Sequence, residues 1–265
     1  MIHSSAIIDK NAKLYNNVKI GAYSKIGPNV VIGQNSIIHS HVVIEGNTQI
    51  GENCEVFPFT VIGTRSQDLS IKPDFIGNVT INDNVTIREQ VTIHSSTKMN
   101  TSTAIGKNCF FMATSHVAHD CVLGENVIMA NSSMLAGHTT IGSNVFISGG
   151  AAIHQFTKVG DYSFIIATSR TVQDVPPFSM TAGSSPTEFA GLNIVGLRRA
   201  GFSQEDRTLI KKAYKILYNN GIKNSKSLST LENWEYKSHP AVKYIIDFVK
   251  SSKRGIIRKW QGRKS

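Results

Sequence analysis

Apolar residues recur at every sixth position along most of the chain. In the central part, the sixth-place residues are Ile105, Phe111, Val117, Leu123, Met129, Leu135, Ile141, Ile147, Ile153, Val159 and Ile165. Six residues of α-helix rotate through about 600°, so positions i and i+6 would lie about 120° apart and could not form one apolar stripe. In extended chain the two positions share a face, because side chains alternate with a period of two. The pattern therefore predicts short strands separated by evenly spaced corners, which is typical of a hexapeptide-repeat β-helix.

The same spacing begins near the N-terminus. It holds at Ile8, Leu14, Ile20, Ile26, Ile32, Ile38, Ile44, Ile50, Val56 and Ile62. Three strands and three corners make one coil of 18 residues, and stacked coils bury the sixth-place side chains in a continuous core. Glycine directly follows the apolar residue at Gly21, Gly27, Gly33, Gly51 and Gly63, and we expect these glycines to take positive φ at the corners.

Two polar stretches interrupt the repeat. Ile62 and Ile81 are 19 residues apart, which breaks the sixth-place register, and the stretch Thr64–Gly77 between them predicts a loop that leaves the coil. A second polar stretch, Ser95–Thr103, predicts another loop. Loops on a regular scaffold are where functional residues tend to lie.

The C-terminal third has a different pattern. Past Ile165 the repeat fades, and two successive prolines in Gln173–Pro177 end regular structure because they remove backbone donors. Ser203 is a candidate helix cap, followed by apolar residues at helical spacing as far as Asn220. A second helix fits Pro240–Val249.

Charge is concentrated in the same third of the chain. The net charge of the 265 residues is +10. Residues 1–186 contain 11 basic and 12 acidic residues, whereas residues 187–265 contain 17 and 6. We therefore expect a β-helix domain over 1–186 and a basic α-helical domain over 187–265. Such a basic surface suits an acidic protein, nucleic acid or an anionic membrane, or simply solvated helix faces, and the tail Lys253–Ser265 is compatible with either disorder or a partner contact.

The ends of the chain and its cysteines bear on the protein's compartment. No basic segment followed by a long apolar one occurs at the N-terminus, and no stretch approaches the roughly 18 apolar residues of a membrane span, so a cytoplasmic protein is expected. Cys54, Cys109 and Cys121 are odd in number and lack C-x-x-C spacing, which indicates small buried side chains rather than disulfides or a zinc ribbon.

Histidines cluster in the central coils. The four central ones are His116, His119, His138 and His154. At 18 residues per coil, His119 should lie beneath Gly137, and Gly137 beneath Gln155. One histidine would act as a general base, since its pKa lies near working pH, and Asp120 could orient it. The N–H of Gly137, one coil on, could stabilise an oxyanion.

A metal site competes with this interpretation. His116-x-x-His119 and a third histidine would supply three imidazoles. Two observations disfavour it: no further carboxylate or histidine cluster offers a second shell, and on one strand the two rings would point to opposite faces unless a corner intervenes. We expect neither a metal nor a cofactor.

Several motifs together resemble one enzyme family. They are Gln67-Asp68-Leu69, Ile87-Arg88-Glu89, Val91-Thr92-Ile93-His94, His116-Val117-Ala118-His119-Asp120-Cys121, Leu135-Ala136-Gly137-His138, His154-Gln155-Phe156, Gln173 through Pro177, and Asn193-Ile194 leading to Gly196-Leu197-Arg198-Arg199. They resemble the UDP-N-acetylglucosamine O-acyltransferases that begin lipid A biosynthesis, over nearly the whole chain. The resemblance implies a homotrimer of left-handed β-helices with active sites between subunits. It also implies transfer of a (3-hydroxy)acyl chain from acyl carrier protein to the 3-hydroxyl of UDP-N-acetylglucosamine.

The resemblance also implies roles for individual residues. His119 would be the general base, Asp120 its partner and Gly137 the oxyanion donor, with no covalent acyl-enzyme. Residues that bind the substrates would be Gln67, Asp68, Lys72, His116, His138, His154, Gln155, Asn193 and Arg199. The acyl groove would pass Ile166 and Ala167, with Ala167 at the position that limits chain length. Acidic acyl carrier protein would dock on the basic C-terminal helices, with no nucleic-acid partner and no stable membrane insertion.

The chain departs from the family pattern at three positions. Ser70 stands where the family usually has lysine, Val195 where it has glutamate, and Ala200 where it has a last basic residue. These departures motivate one alternative, an N-acyltransferase that acts on an amino-sugar nucleotide. A separate alternative, of another class, is a non-catalytic hexapeptide-repeat binding scaffold.

Overall fold

Three sheets form the walls of a coil in the computed structural model, which describes residues 1–218 and 224–259. Sheet I contains Ile7–Ile8, Lys25–Ile26, Val43–Ile44, Val61–Thr64, Thr92–His94, His116–Val117, Met134–Leu135, Ala152–Ile153 and Arg170–Thr171. Sheet II contains Lys13–Leu14, Val31–Ile32, Asn47–Ile50, Asn78–Ile81, Thr103–Ile105, Val122–Leu123, Thr140–Ile141 and Lys158–Val159. Sheet III contains Lys19–Ile20, Ile37–Ile38, Glu55–Val56, Thr86–Ile87, Phe110–Phe111, Ile128–Met129, Phe146–Ile147, Phe164–Ile165, Ser179–Ala182 and Glu188–Leu192.

The sixth-place side chains form the core of this coil. Ile8 and Leu14 are half-buried at its first turn, and the later members are buried. Strands of successive coils pair in parallel, so that Ile26 lies beside Ile44 and Ile44 beside Ile62. Burying one such side chain stabilises the fold by about 1.5–3 kcal/mol. The predicted fold, a left-handed parallel β-helix of hexapeptide repeats followed by helices, is confirmed.

The corners correct the prediction about glycine. Positive φ falls on the third residue after the inward one, which is usually not glycine, as at Asp120 (φ 56°) and His138 (φ 59°). Of the five glycines predicted to take positive φ, only Gly63 does so, and the expectation is wrong for the other four. At Gly21 and Gly33 a Cβ would lie 2.5 Å from the backbone of the next coil. Glycine therefore serves there to let coils approach each other closely.

The two predicted loops project from the coil and leave the pairing of its inward-facing residues intact. The first separates Val61–Thr64 from Asn78–Ile81, and the second separates Thr92–His94 from Thr103–Ile105. Across the first loop, Ile62 pairs with Ile93, and the register shifts only at Thr64, where the loop begins. Across the second loop, Ile93 pairs with Val117 and Ile81 with Ile105. The loops therefore leave the inward-facing side chains of the core in register.

The coil continues further than the sequence indicated. The strand Arg170–Thr171 adds one more repeat, with Thr171 buried at the sixth place. The sixth-place pattern of apolar residues did not predict this strand, because its inward residue, Thr171, is polar. An antiparallel pair that the periodicity did not predict, Ser179–Ala182 with Glu188–Leu192, then extends sheet III. The boundary predicted between residues 186 and 187 lies in the turn of this pair.

Helices pack on the end of the coil. They are α1 (Ile194–Arg199), α2 (Gln204–Leu217), α3 (Asn224–Glu232) and α4 (Pro240–Ser251). α2 begins at the predicted cap, where Ser203 and Asp206 form a capping box, and the predicted end at Asn220 lies outside the described residues. α4 extends two residues beyond its prediction, and α1 and α3 were not predicted. None of the described helices is long and apolar enough to cross a membrane.

Tyrosine hydroxyls of α2 are among the contacts that fix the helices to the coil and to the C-terminal segment. The Tyr214 hydroxyl donates to the Pro177 carbonyl, and the Tyr218 hydroxyl donates to the Ile257 carbonyl at 2.9 Å. Ile256 and Ile257 are themselves buried. The first part of the basic tail is therefore packed, whereas Trp260 and the residues after it lie outside the described part of the chain.

Candidate active site

A groove of about 540 Å³ runs over sheet I and the corner that follows it. Six of the predicted site residues line it: Gln67, Asp68, His116, His119, Gly137 and Gln155. The first loop supplies two of them and three successive coils supply the rest. The outward faces of Met134 and Ala152, which the sequence did not single out, form an apolar floor.

His119 and Asp120 form a hydrogen-bonded pair in this groove. His119 occupies the corner after the strand His116–Val117, which is why it does not oppose His116 across a strand, and it is 8% exposed. Its Nδ1 lies 2.9 Å from Asp120 Oδ2. An ionised carboxylate can only accept, so Nδ1 carries the proton and Nε2 is left as a base.

The second loop holds the Asp120 carboxylate. Thr97 donates its N–H (3.1 Å) and its hydroxyl (2.6 Å) to Oδ2, and the Thr101 hydroxyl lies 2.8 Å from Oδ1. Burial alone would raise the pKa of Asp120, but the bonds from Thr97, His119 and Thr101 together outweigh burial and hold the pKa below its usual value. The sequence could not identify these threonines, because the loop has no periodicity.

Gly137 lies directly against the His119 ring. A Cβ at Gly137 would lie 2.5 Å from His119 Nε2 and 2.4 Å from Cε1. The N–H of Gly137 has no acceptor within the two described ranges of the chain, whereas the next residue, His138, donates its N–H to the His119 carbonyl at 3.0 Å. The predicted column of His119 beneath Gly137 thus places a backbone donor beside the His119 ring.

Two further histidines line the groove in neutral form. His116 Nδ1 lies 2.7 Å from Thr92 Oγ1, and burial lowers the pKa of His116. His94 is 7% exposed and meets His116 edge-on at 4.9 Å. Burial, reinforced by the neighbouring imidazoles, lowers the pKa of His94 to about 4. His94 belongs to a motif quoted above, but nothing in the sequence assigned it to the site.

The other two predicted histidines lie at the edge of the groove. His138 Nε2 is 3.8 Å from Asp120 Oδ2, and its ring stacks on Phe156 at 4.7 Å. His154 is exposed, with Nδ1 3.4 Å from a guanidinium nitrogen of Arg254. His138 therefore adjoins the His119–Asp120 pair, whereas His154 faces the C-terminal segment.

The first loop contains a local turn around Asp68. The Ser70 N–H (2.9 Å) and hydroxyl (2.8 Å) both donate to Asp68 Oδ1, and these bonds lower the pKa of Asp68. Ser70, one of the three departures from the family pattern, thus orients a groove residue. Lys72 lies apart from His119, in a neighbouring groove with Ser70 and Phe75.

The remaining predicted residues lie outside the groove. Asn193 caps α1, accepting from the Gly196 N–H at 3.1 Å and donating to the Tyr162 carbonyl at 2.9 Å. Arg199 is exposed in the last turn of α1. Ile166 and Ala167 occupy the corner between sheets III and I, and both are exposed.

One group of side chains has the spacing of metal ligands. His119, Asp120 and His138 offer three ligand atoms within 4.8 Å of one another. Both oxygens of Asp120, however, already accept bonds from His119, Thr97 or Thr101. This hydrogen-bond pattern favours a proton-transfer pair over a metal centre.

Known proteins resemble the chain over both its repeat region and its C-terminal part. Residues 174–257 match the family model described as UDP-N-acetylglucosamine O-acyltransferase, domain 2, and residues 1–34, 29–64 and 102–137 match the bacterial transferase hexapeptide model. An acyl-[acyl-carrier-protein]–UDP-N-acetylglucosamine O-acyltransferase from Thermodesulfovibrio yellowstonii is 45% identical over 97% of this chain and 99% of its own. The enzyme of the same name from Fusobacterium nucleatum is 50% identical over 80% of this chain and 81% of its own.

Solved structures agree with the sequence relatives. UDP-N-acetylglucosamine acyltransferase from Bacteroides fragilis superposes with a TM-score of 0.93 at 40% identity, covering 97% of this chain and 100% of that one. The UDP-N-acetylglucosamine acyltransferase from Francisella novicida superposes with a TM-score of 0.95 at 35% identity, covering 98% of this chain and 95% of that one. The chain is therefore an acyltransferase that belongs to the acyl-[acyl-carrier-protein]–UDP-N-acetylglucosamine O-acyltransferase family.

Proposed function

We propose that this enzyme transfers a (3-hydroxy)acyl group from the thioester of acyl carrier protein to the 3-hydroxyl of UDP-N-acetylglucosamine, the first step of lipid A biosynthesis. The observation that carries the proposal is the His119–Asp120 pair, with the Gly137 backbone against its free nitrogen. The relatives named above supply the substrates by their names.

The geometry supports direct transfer with His119 as the base. Nε2 takes the proton of the sugar hydroxyl as its oxygen attacks the thioester carbonyl. The Gly137 N–H donates to the oxyanion that develops, and Asp120 stabilises the imidazolium. The C–S bond then breaks, and His119 returns the proton to the departing thiolate of the carrier.

The residues that line the groove argue against an acyl-enzyme. No serine, threonine or cysteine side chain occurs among the described lining residues. Cys121, beside Asp120 in sequence, is fully buried, and burial raises the pKa of its thiol to about 12. A thiol of that kind is not a nucleophile at neutral pH.

Exposed apolar side chains around the groove support a homotrimer whose subunits cover each other's sites. Leu69, in the first loop, is fully exposed, and Met134 on the groove floor is 47% exposed. Large apolar side chains beside an open groove are typical of an interaction surface. We place the acyl chain on this floor, with Ala167 at its limit.

The proposed docking surface for acyl carrier protein is the cleft between α2 and the last strand of sheet III. Lys211 and Lys215, on one face of α2, line it with Phe189, Ile194 and Tyr218. A basic rim around an apolar cleft complements an acidic, amphipathic carrier surface. Replacing both lysines with glutamate should raise KM for acyl carrier protein about 10-fold at low salt and leave KM for the sugar nucleotide unchanged. Lys13→Glu, in the first coil, is the control for altered charge.

Product analysis with a His119 variant tests the catalytic proposal. Mass spectrometry would follow a panel of acyl carrier protein thioesters with UDP-N-acetylglucosamine. We expect an O-acyl product from the native chain, and a drop of at least about 10³-fold with His119→Ala while the trimer stays intact. His41→Ala, at a corner outside the groove, should behave like wild type. Activity of His119→Ala near wild type would overturn the role of this base.

The same assay separates the alternatives. With an amino-sugar nucleotide as acceptor, an amide product without any ester from UDP-N-acetylglucosamine would replace the proposal with N-acyl transfer. A purified trimer that is inert with every donor would favour a binding scaffold.

A further inference from the structure

The second loop, residues 95–102, meets the site at one carboxylate. Three donors from Thr97 and Thr101 reach Asp120, and the shortest is the Thr97 hydroxyl at 2.6 Å. A fourth bond holds the backbone, because the Asp120 N–H donates to Thr103 Oγ1 at 2.9 Å. The Asp120 side chain is 6% exposed, so these bonds are made where water competes little.

These bonds determine which oxygen faces His119. Oδ2 accepts from both His119 and Thr97, and Oδ1 accepts from Thr101. With a donor on each oxygen, the carboxylate plane cannot turn without breaking one of them. The Thr101 hydroxyl oxygen also lies 3.1 Å from the Lys98 carbonyl oxygen and 2.8 Å from Asp120 Oδ1. A hydroxyl has one proton to donate, and the shorter distance favours donation to Asp120.

The loop itself is anchored to the coil, so it can hold a side chain still. Asn78 donates to the carbonyls of Met99 (2.8 Å) and Thr101 (2.7 Å). Asn78 in turn accepts from Asn47 at 3.1 Å, and Asn47 accepts from Asn29 at 3.0 Å. This ladder of stacked amides ties the loop conformation to three lower coils.

We infer that Thr97 and Thr101 are positioning residues for the acyl transfer, which act through Asp120 on the orientation and tautomer of His119. The inference rests on the proposed role of His119 as general base. Neither threonine lines the groove, so neither is assigned a substrate contact. A residue two contacts from the reaction matters here because a displacement of about 1 Å at a catalytic group can cost on the order of 10²-fold in rate.

Removing the two hydroxyls tests the inference. Thr97→Val combined with Thr101→Val keeps size and β-branching and should lower kcat by roughly 10- to 100-fold. Both KM values should stay within about twofold, because no substrate contact is lost. Thr97→Ser with Thr101→Ser restores the donors and should return kcat to within about threefold of wild type. Ser102→Ala is the matched loop control, because the Ser102 hydroxyl bonds Thr80 and not Asp120.

Two readouts distinguish positioning from a merely structural role. The acid limb of the kcat/KM profile should move to higher pH in the double valine variant, since a carboxylate that has lost two donors holds its proton more strongly. Nitrogen NMR of the imidazoles in the substrate-free protein should show His119 with the proton on Nδ1 in wild type and a mixture of tautomers in the variant.

The controls keep this inference separable from the proposed function. If His119→Ala is inactive while the double valine variant has wild-type kcat and pH profile, the positioning role is refuted and the base is not. If His119→Ala stays active, the proposed function fails instead. Should the double variant unfold, Thr101→Val alone removes one bond and should lower kcat about 3- to 10-fold, and an unchanged kcat there would overturn the inference.

Discussion

Gly137→Ala should move the His119 imidazole, the proposed base, without straining the backbone. The φ of Gly137 lies outside the left-handed region, so the backbone accepts alanine. The N–H of residue 137 also remains available as an oxyanion donor. What changes is the space beside His119, where the new methyl group would overlap the ring.

The size of the effect follows from the contacts. The added Cβ would lie 2.4 Å from His119 Cε1, and ordinary contact begins near 3.4 Å, so the ring must retreat by about 1 Å. Such a displacement at a base should lower kcat on the order of 10²-fold. This corresponds to about 2.7 kcal/mol in the barrier. Because the ring borders an open groove and has room to move, the loss of folding stability should lie near the lower end of the roughly 1–3 kcal/mol that overpacking costs.

Steady-state kinetics with acyl carrier protein thioester and UDP-N-acetylglucosamine would measure the change, with kcat and both KM values determined separately. Gly27→Ala is the matched control, because its Cβ meets neighbours at 3.4 Å or more. If Gly137→Ala kept kcat within threefold of wild type while His119→Ala was inactive, the reasoning from ring position would be refuted.

Three further predictions concern stability and chain length. Burial lowers the pKa of His94 to about 4 from its ordinary 6.5, so the unfolded chain binds this proton more readily and the fold loses stability as pH falls from 6.5 towards 4. His94→Gln should flatten the dependence of Tm on pH in that window, and an unchanged slope would contradict this. Ala167→Met should shift the preferred acyl donor to a shorter chain in a donor panel, and an unchanged preference would refute the proposed place of Ala167 at the end of the acyl chain. Asn193→Ala should lower the free energy of unfolding by about 1 kcal/mol in denaturant titration, because α1 loses its N-cap. An unchanged free energy of unfolding would contradict the importance of this cap.

Much of the fold follows from the sequence, because one physical rule repeats. Every coil places an apolar side chain at the same inward position, so a six-residue period predicts the strands. The rule fails where the inward residue is polar, as at Thr171, and where the chain turns antiparallel at Ser179–Ala182. There the pairing depends on tertiary contacts that no periodicity encodes.

The part of the candidate site that lies on the regular coils was likewise predictable from the repeat. An 18-residue repeat places His119 beneath Gly137 from counting alone, and the ring contact agrees with that placement. Thr97 and Thr101 could not be found, since the path of a loop determines which of its hydroxyls reach Asp120. The roles of Asn193 as a cap and Ser70 as a turn residue likewise depend on local geometry that a motif does not specify.

The corners of the coil have a consequence for how such a site can arise. Asp120 and His138 have φ values of 56° and 59°, and Asn126 and Ser132, at ordinary corners, have 56° and 58°. Asp120 and His138, at and beside the groove, thus require no backbone conformation that the scaffold does not already repeat at other levels. The reaction that such a site performs is therefore determined by which side chains occupy the corners, because the backbone of the corners is the same at every level. Substitutions at corner positions can create, alter or remove activity while the buried core stays the same.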